Sequence, residues 1–419
     1  MFLKTNINRF AVLADQAVVS GSALLSAVLI ARSIGVEGYG KFSAAVLIHY
    51  LLLAVQQAFI TGVYQVNCSR MQPKRMQQYS TAVLLLSAML LVLMLLVLFA
   101  FRIIPIAFVQ ELPAAAALLT YSGSLLAADA VRRMLLASGK NSIALLLDCI
   151  TAGMQLLVLF LQRNSLTVET ALVVSGLAAL PSAIAGIIVL NKKSVAAKMF
   201  RFTVRMHYRR GRWLFYTALL QWSSGNFLLL TLSAKTGAAA LGVLRLGQQL
   251  FGTFTLILQA AETYALPRAS AIAGNRTLLI AGLQRMTGTL LVLYIPFALL
   301  LCLFSNELFE LLGGTAVTGS TKLIAGLAAV YMLVTVGYAV RTAMRSLQLN
   351  KLYFFGACLS AATTVLALLL PSANGIEVVA GLFFAQLVPL SFWIFSLHNK
   401  HQLPWKSFIL FSAKPILKG

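Results

Sequence analysis

Runs of about 20 apolar residues recur along this chain, and each is long enough to cross ~30 Å of hydrocarbon as a helix. They fall at roughly 10–31, 43–66, 80–101, 114–136, 143–162, 170–190, 213–234, 242–266, 286–304, 322–340, 352–370 and 377–397. Lipid offers no partner for backbone N–H and C=O groups, so open sheet edges are excluded and such runs must be helices. Composition agrees: 60% of the 419 residues are hydrophobic and 10% are charged, whereas soluble domains carry about a quarter charged residues. The first run is too long for a signal peptide and lacks a cleavage flank, so it is kept as a helix. The expected fold class is an all-α polytopic membrane protein with twelve transmembrane helices.

Orientation follows from the basic residues. With the N-terminus in the cytoplasm, 26 of the 33 Lys and Arg fall on the inner side and six on the outer (Arg32, Lys41, Arg102, Arg163, Lys235, Lys322), leaving Arg245 inside a span. This bias places both termini in the cytoplasm and supports an even number of spans. The net charge of +23 is therefore a property of the cytoplasmic face, where it sets topology and attracts anionic membrane lipids. No folded soluble domain is present to turn it into nucleic-acid binding. The cysteines (Cys68, Cys149, Cys302, Cys358) fall in spans or at their inner ends, so free thiols packed like small apolar side chains are expected.

The richest basic segment, "NKKSVAAKMFRFTVRMHYRRGR" from Asn191 to Arg212, lies near the midpoint. It divides the chain into an N-terminal six-helix half (1–191), a basic cytoplasmic linker (192–212), a C-terminal six-helix half (213–398) and a cytoplasmic tail (399–419). An internal repeat supports the division. "SGSALLSAVLIARSIGVEGYGKF" begins at Ser20 and "SGNFLLLTLSAKTGAAALGVLRL" at Ser224, with Gly38 and Gly242 at the same offset. Both halves start on the same side, so the repeat is parallel, with a pseudo-twofold along the membrane normal. Transporters are commonly built this way, with the substrate path between the halves.

Enzyme chemistry finds little support. His49, His207, His398 and His401 have no cysteine or carboxylate at metal-ligand spacing, so no metal site is expected. "GTAVTGST" from Gly314 resembles a phosphate loop until the required lysine, where Ser320 stands. The outer loops, about 6 to 17 residues long, leave no room for a catalytic domain.

Polar side chains inside the spans carry more information, because they usually face a bundle interior or a watery cavity. The eighth span, "VLRLGQQLFGTFTLILQAAET" (Val243 to Thr263), holds Arg245, Gln248, Gln249, Gly252, Thr255, Gln259 and Glu262. At about 100° per residue these fall within an arc of about 140°. Arg245 and Glu262 are ~26 Å apart along the axis, so they cannot pair with each other. A cavity wall explains a stripe of this length better than polar glue between packed helices.

The first span has a shorter version: Asp15, Ser22 and Ser26 share a face, with Gln16 beside them. An acid there fits a coupling proton, a counter-ion for a cavity arginine, or a structural salt bridge. Asp129 is placed to pair with Arg132 or Arg133 at i+3 and i+4, and Asp148 to bridge to a cytoplasmic base. Gln56 and Gln57 are further lining candidates, although their faces diverge.

Two segments resemble a known family. "ADQAVVSGSALLSAVLIARSIGVEGYGKFSA" is similar to the opening of Wzx-type polysaccharide flippases of the multidrug/oligosaccharidyl-lipid/polysaccharide (MOP) exporter superfamily. "GAAALGVLRLGQQLFGTFTLILQAAETYALPRASAI" looks like their second-half segment, with Leu266-Pro267-Arg268-Ala269-Ser270 in place of its "YPR-x-S" element. The resemblance implies a multi-pass protein of the bacterial inner membrane. Its task would be to move undecaprenyl-pyrophosphate-linked oligosaccharide to the periplasmic leaflet for O-antigen, capsule or exopolysaccharide assembly. It implies alternating access, no cofactor, a proton or sodium gradient acting on Asp15, Asp129 or Glu262, and work beside polymerase and chain-length machinery. Arg245 would hold the pyrophosphate, Gln248, Gln249 and Gln259 the sugar hydroxyls, and Glu262, Asp15 and Gln16 would complete the cavity. A cation-coupled drug exporter of the same superfamily is the alternative, and a membrane polymerase or ligase a weaker one.

Overall fold

The structure, a computed structural model, describes residues 2–68, 72–102, 113–190, 196–272, 274–313, 320–347, 349–369, 375–401 and 403. The described residues are helical, with no strand among them. In chain order the helices are α1 (Phe2–Gln56), a π-helical turn (Gln57–Thr61), α2 (Gly62–Cys68), α3 (Pro73–Arg102), α4 (Ala115–Ala137), α5 (Asn141–Leu161), α6 (Val168–Leu190) and α7 (Ala197–Trp222). A second π-helical turn (Ser223–Phe227) leads into α8 (Leu228–Thr236), α9 (Ala238–Ala271), α10 (Arg276–Leu303), α11 (Ser305–Gly313), α12 (Ser320–Ser346), α13 (Asn350–Leu369) and α14 (Gly375–His401).

Among the described residues, nine helices are long and apolar enough to cross a membrane. The first covers 14–68 and carries two expected spans, because α1 is broken at Gly35 (φ 72°, ψ 173°). The expected spans 114–136 and 213–234 fall on α4 and on α7–α8, whose polar residues keep them outside the nine. The tail beyond 403, the start of the linker and most of the "GTAVTGST" stretch lie outside the described residues.

The chain forms two compact units, Met1–Trp222 and Ser223–Gly419. The basic segment that reads as a linker is helical from Ala197 onward, and α7 packs within the first unit. Each unit repeats the same packing pattern. In the first, α4 packs on α6, α5 on α6, α3 on α4 and α1 on α5. In the second, α12 packs on α14, α13 on α14, α10 on α12, and α13 on the second π turn and α8. The repeat is visible in the backbone too. Each copy joins its two helices through a glycine with positive φ, Gly35 (72°) and Gly237 (91°), a conformation that a Cβ disfavours.

Lipid gives two apolar helices no hydrophobic reason to associate, so close approach and interhelical hydrogen bonds must do it. In α6 the buried positions include Ser175, Gly176, Ala178, Ala179, Ser182, Ala183 and Gly186. A Cβ on Gly176 would sit 2.8 Å from the Thr120 carbonyl oxygen of α4. The Ser182 hydroxyl donates to the Leu147 carbonyl at 2.8 Å and accepts from Thr151 at 2.6 Å. Gln56, a lining candidate from its sequence, is buried and donates to the Leu126 carbonyl at 2.8 Å, so it joins helices. The four cysteines are free thiols. Cys68 is buried as expected, but Cys149 is exposed on α5, where the helix turns that position outward.

Candidate functional site

In the second unit the polar stripe of α9 has one packed side and one open side. On its back, a Cβ at Gly247 would lie 2.7 Å from Leu327 Cδ1, whereas at Gly252, within the stripe, it would meet nothing within 4 Å. Buried Leu246, Leu250, Phe251, Phe254 and Leu258 anchor the helix. Phe251 stacks on Tyr331 of α12 at 5.0 Å, and Phe254 meets Tyr294 edge-on at 5.1 Å. These bulky rings hold the backbone in register, which leaves the polar residues on the remaining face.

The stripe sorts into two clusters. In one, Arg245 Nη1 donates to Gln248 Oε1 at 3.2 Å, and the Tyr331 hydroxyl donates to the Gln248 carbonyl at 3.4 Å. Arg245, Gln248 and Gln249 are all half-buried. At the other end, Glu262 accepts from Arg345 Nη1 at 2.6 Å, with side-chain exposures of 18% and 56%. Gln259 between them is exposed and hydrogen-bonds Tyr338, and the Arg341 guanidinium lies 4.2 Å from the centroid of the Tyr338 ring. Helix α9 continues past Leu266, but the side chains of Tyr264, Pro267, Arg268 and Ser270 lie outside the described residues.

The partner stripe on α12 escaped sequence reasoning. Tyr331, Thr335, Tyr338, Arg341, Thr342 and Arg345 fall within an arc of about 120° at 100° per residue. The signal was available as a period of three to four. However, tyrosine and threonine are common at span ends and in helix seams, and arginines near the end of a span count toward topology.

In the first unit Asp15, Asp129 and Asp148 are each engaged. Arg132 donates from Nη2 to Asp15 and from Nε to Asp148, tying α1, α4 and α5 together. Side-chain exposures are 2% for Asp15, 13% for Asp148 and 18% for Arg132. Of the two partners open to Asp129, Arg133 at i+4 takes it, at 2.8 Å. Gln16 is half-buried next to Asp15. Each of the three coupling candidates, Asp15, Asp129 and Glu262, therefore holds an arginine. Among the described residues no group of three His, Cys, Asp or Glu is placed to hold a metal.

His207 of α7 is buried, accepting or donating at 2.8 Å with the Tyr79 hydroxyl and at 2.7 Å with the Phe59 carbonyl. A carbonyl only accepts, so Nδ1 carries the proton and Nε2 accepts from Tyr79. Burial pushes its pKa down to about 4, with a smaller upward pull from the Phe59 carbonyl and a downward one from Arg210.

Residues 143–322 match a family described as polysaccharide biosynthesis protein, under half of the chain. No curated protein matches the sequence. Among solved structures, the lipid II flippase MurJ in an inward closed conformation is similar over 96% of this chain and 89% of its own, at TM-score 0.72 and 14% identity. An inward-facing multidrug resistance MATE family transporter of the MOP superfamily is similar over 94% and 99%, at 0.70 and 13%. A MOP superfamily transporter from Pyrococcus furiosus follows, over 93% and 94%, at 0.61 and 13%. At these identities the likeness is one of fold alone.

Proposed function

We propose that this protein is a flippase that carries undecaprenyl-pyrophosphate-linked oligosaccharide repeat units from the cytoplasmic to the periplasmic leaflet of a bacterial inner membrane. The product would feed O-antigen, capsule or exopolysaccharide assembly. The observation that carries the reading is Arg245, a guanidinium within the eighth expected span, beside Gln248 on the open face of α9. A sugar diphosphate cannot cross hydrocarbon unaided, and a planar guanidinium matches phosphate oxygens two at a time. Gln248, Gln249 and Gln259 would then meet sugar hydroxyls, and Arg341 and Arg345 would extend the cationic track toward the basic end of α12. The match to a polysaccharide biosynthesis family and the fold shared with MurJ support a lipid-linked cargo.

Transport proceeds in this reading by alternating access. A proton or sodium gradient acting on Asp15, Asp129 or Glu262 would have to compete with the arginine each acid holds. The rival reading, a cation-coupled small-molecule exporter, draws on the MATE-like fold. Against it, the open face presents arginines and amides, which suit an anionic sugar lipid.

The test uses a strain lacking the gene and any redundant flippase, complemented with variants. Arg245→Ala should insert normally but trap repeat units on the cytoplasmic leaflet, and Arg245→Lys should restore them only partly. Wild-type delivery by Arg245→Ala would remove the pyrophosphate role. Gradient-dependent drug efflux with unchanged lipid delivery would favour the rival.

A further inference from the structure

Helix α7 has a buried side and an exposed side of different chemistry. Thr203, His207 and Gly211 are buried, and a Cβ on Gly211 would lie 2.6 Å from Phe59 Cδ1. His207 ties this side to Phe59 and Tyr79, Arg210 reaches Asn67, and the Phe215 ring lies 5.5 Å from that of Phe59. Asn67 and Tyr79 flank the facing ends of the second and third expected spans (43–66 and 80–101), where Arg70, Lys74 and Arg75 lie, and Phe59 sits seven residues inside the second. Packing therefore holds α7 against the facing ends of those two expected spans.

The other side is exposed and cationic. Lys198, Arg201, Arg205, Arg209 and Arg212 are all exposed and fall within an arc of about 80° at 100° per residue. Interleaved with them are Phe202 (54% exposed), Tyr208 (63%), Trp213 (64%) and Tyr216 (53%). The Arg212 guanidinium lies 5.9 Å from the Trp213 ring centroid. No Asp or Glu occurs between Glu169 and Glu262, so neither this helix nor its neighbours in sequence neutralise the face. Topology alone needs positive charge on this side, but not five cations on one strip with aromatic rings in it and along both its edges.

We infer that the exposed face of α7 is a binding site for the headgroups of anionic phospholipids in the adjoining leaflet. Amphipathic Trp and Tyr rings settle at headgroup depth, and basic side chains beside them draw negative lipid from the mixture. The arginine stems lie along the acyl boundary while their guanidinium groups reach the phosphates. The site lies within the first unit, on α7. The inference holds whatever cargo the protein carries.

The experiment uses the full chain, purified in detergent with phosphatidylglycerol and phosphatidylcholine present in equal amounts, and retained lipid is counted by native mass spectrometry. The wild type should keep phosphatidylglycerol selectively, and Arg201→Gln/Arg205→Gln/Arg209→Gln/Arg212→Gln should lose that preference about tenfold or more. A tail variant with the same charge loss, Lys400→Gln/Lys406→Gln/Lys414→Gln/Lys418→Gln, should keep it. Since the substituted side chains avoid the buried side, folding is checked by an unchanged thermal midpoint. Independently, brominated phosphatidylglycerol should quench wild-type tryptophan fluorescence more than brominated phosphatidylcholine does, and Trp213→Phe should abolish the difference. Equal loss in the tail variant, or unchanged selectivity in the arginine variant, would overturn the assignment. So would a soluble acidic protein that binds this face while lipid selectivity stays put.

Discussion

The arginine shared by Asp15 and Asp148 offers a quantitative test of how the first unit is held together. Arg132→Met keeps the volume and removes the cation, leaving two carboxylates whose side chains are 2% and 13% exposed. Breaking a buried pair by removing one partner costs about 3–5 kcal/mol, because a buried charge is left uncompensated. Here two are stranded, so the upper end of that range is expected. The triple variant Arg132→Met/Asp15→Asn/Asp148→Asn removes every charge, and replacing a buried ion cluster by neutral groups is often close to neutral. It should therefore recover at least about 2 kcal/mol relative to Arg132→Met, a coupling energy within the range for contacting residues. Arg132→Lys should fall between, since an ammonium is a single point charge and cannot offer two edges to two acids. The assay is the thermal midpoint of protein purified in one detergent, read beside the yield of inserted protein. If the triple variant melts as low as Arg132→Met, the cost lies in packing and the electrostatic account of the cluster is wrong.

Two other predictions probe the helix seams. Gly176→Ala puts a Cβ 2.8–3.0 Å from backbone atoms of Thr120 and Tyr121, which cannot rotate away. It should destabilise by about 1–3 kcal/mol, while Gly153→Ala, with nothing within 4 Å of its Cβ, should be neutral or gain up to about 1 kcal/mol; equal midpoints would refute the close approach of α4 and α6. His207, held neutral with its pKa pushed down to about 4, makes a stability contribution present in full above its ordinary pKa of about 6.5. That contribution is lost as pH falls toward 4, because the unfolded chain binds the proton first, with a slope approaching about 1.4 kcal/mol per pH unit. The difference in midpoint between wild type and His207→Gln should therefore shrink over that window, and a constant difference would contradict the buried neutral histidine.

The fold class was legible because hydrocarbon imposes a length and a composition on every helix that crosses it. The loops that hold Gly35 and Gly237, between expected spans 10–31 and 43–66 and between 213–234 and 242–266, could be placed for the same reason: an apolar run ends where charged residues enter. The α9 stripe was equally readable, since 3.6-residue periodicity is a local property. The partners were not. Nothing near Asp15 in the chain names Arg132 or Asp148, which lie 117 and 133 positions away, and Glu262 meets Arg345 from 83 positions away. Gln56 reads as a lining residue in the sequence, yet its amide sits on the Leu126 carbonyl, and the α12 stripe, periodic in sequence, gains its meaning only from standing beside α9.

By itself, then, the sequence determined that the chain is a bundle of membrane helices with a polar stripe along one helix, and it set the expectation of an internal repeat with positive charge gathered on one side. Those are consequences of hydropathy, periodicity and charge count, which neighbouring residues settle among themselves. Tertiary structure alone decided which acids are neutralised, which amides join helices, and which face of α7 is left open. Each of those depends on side chains brought together from distant parts of the chain, and a buried charge or amide takes whichever partner packing places within hydrogen-bonding reach.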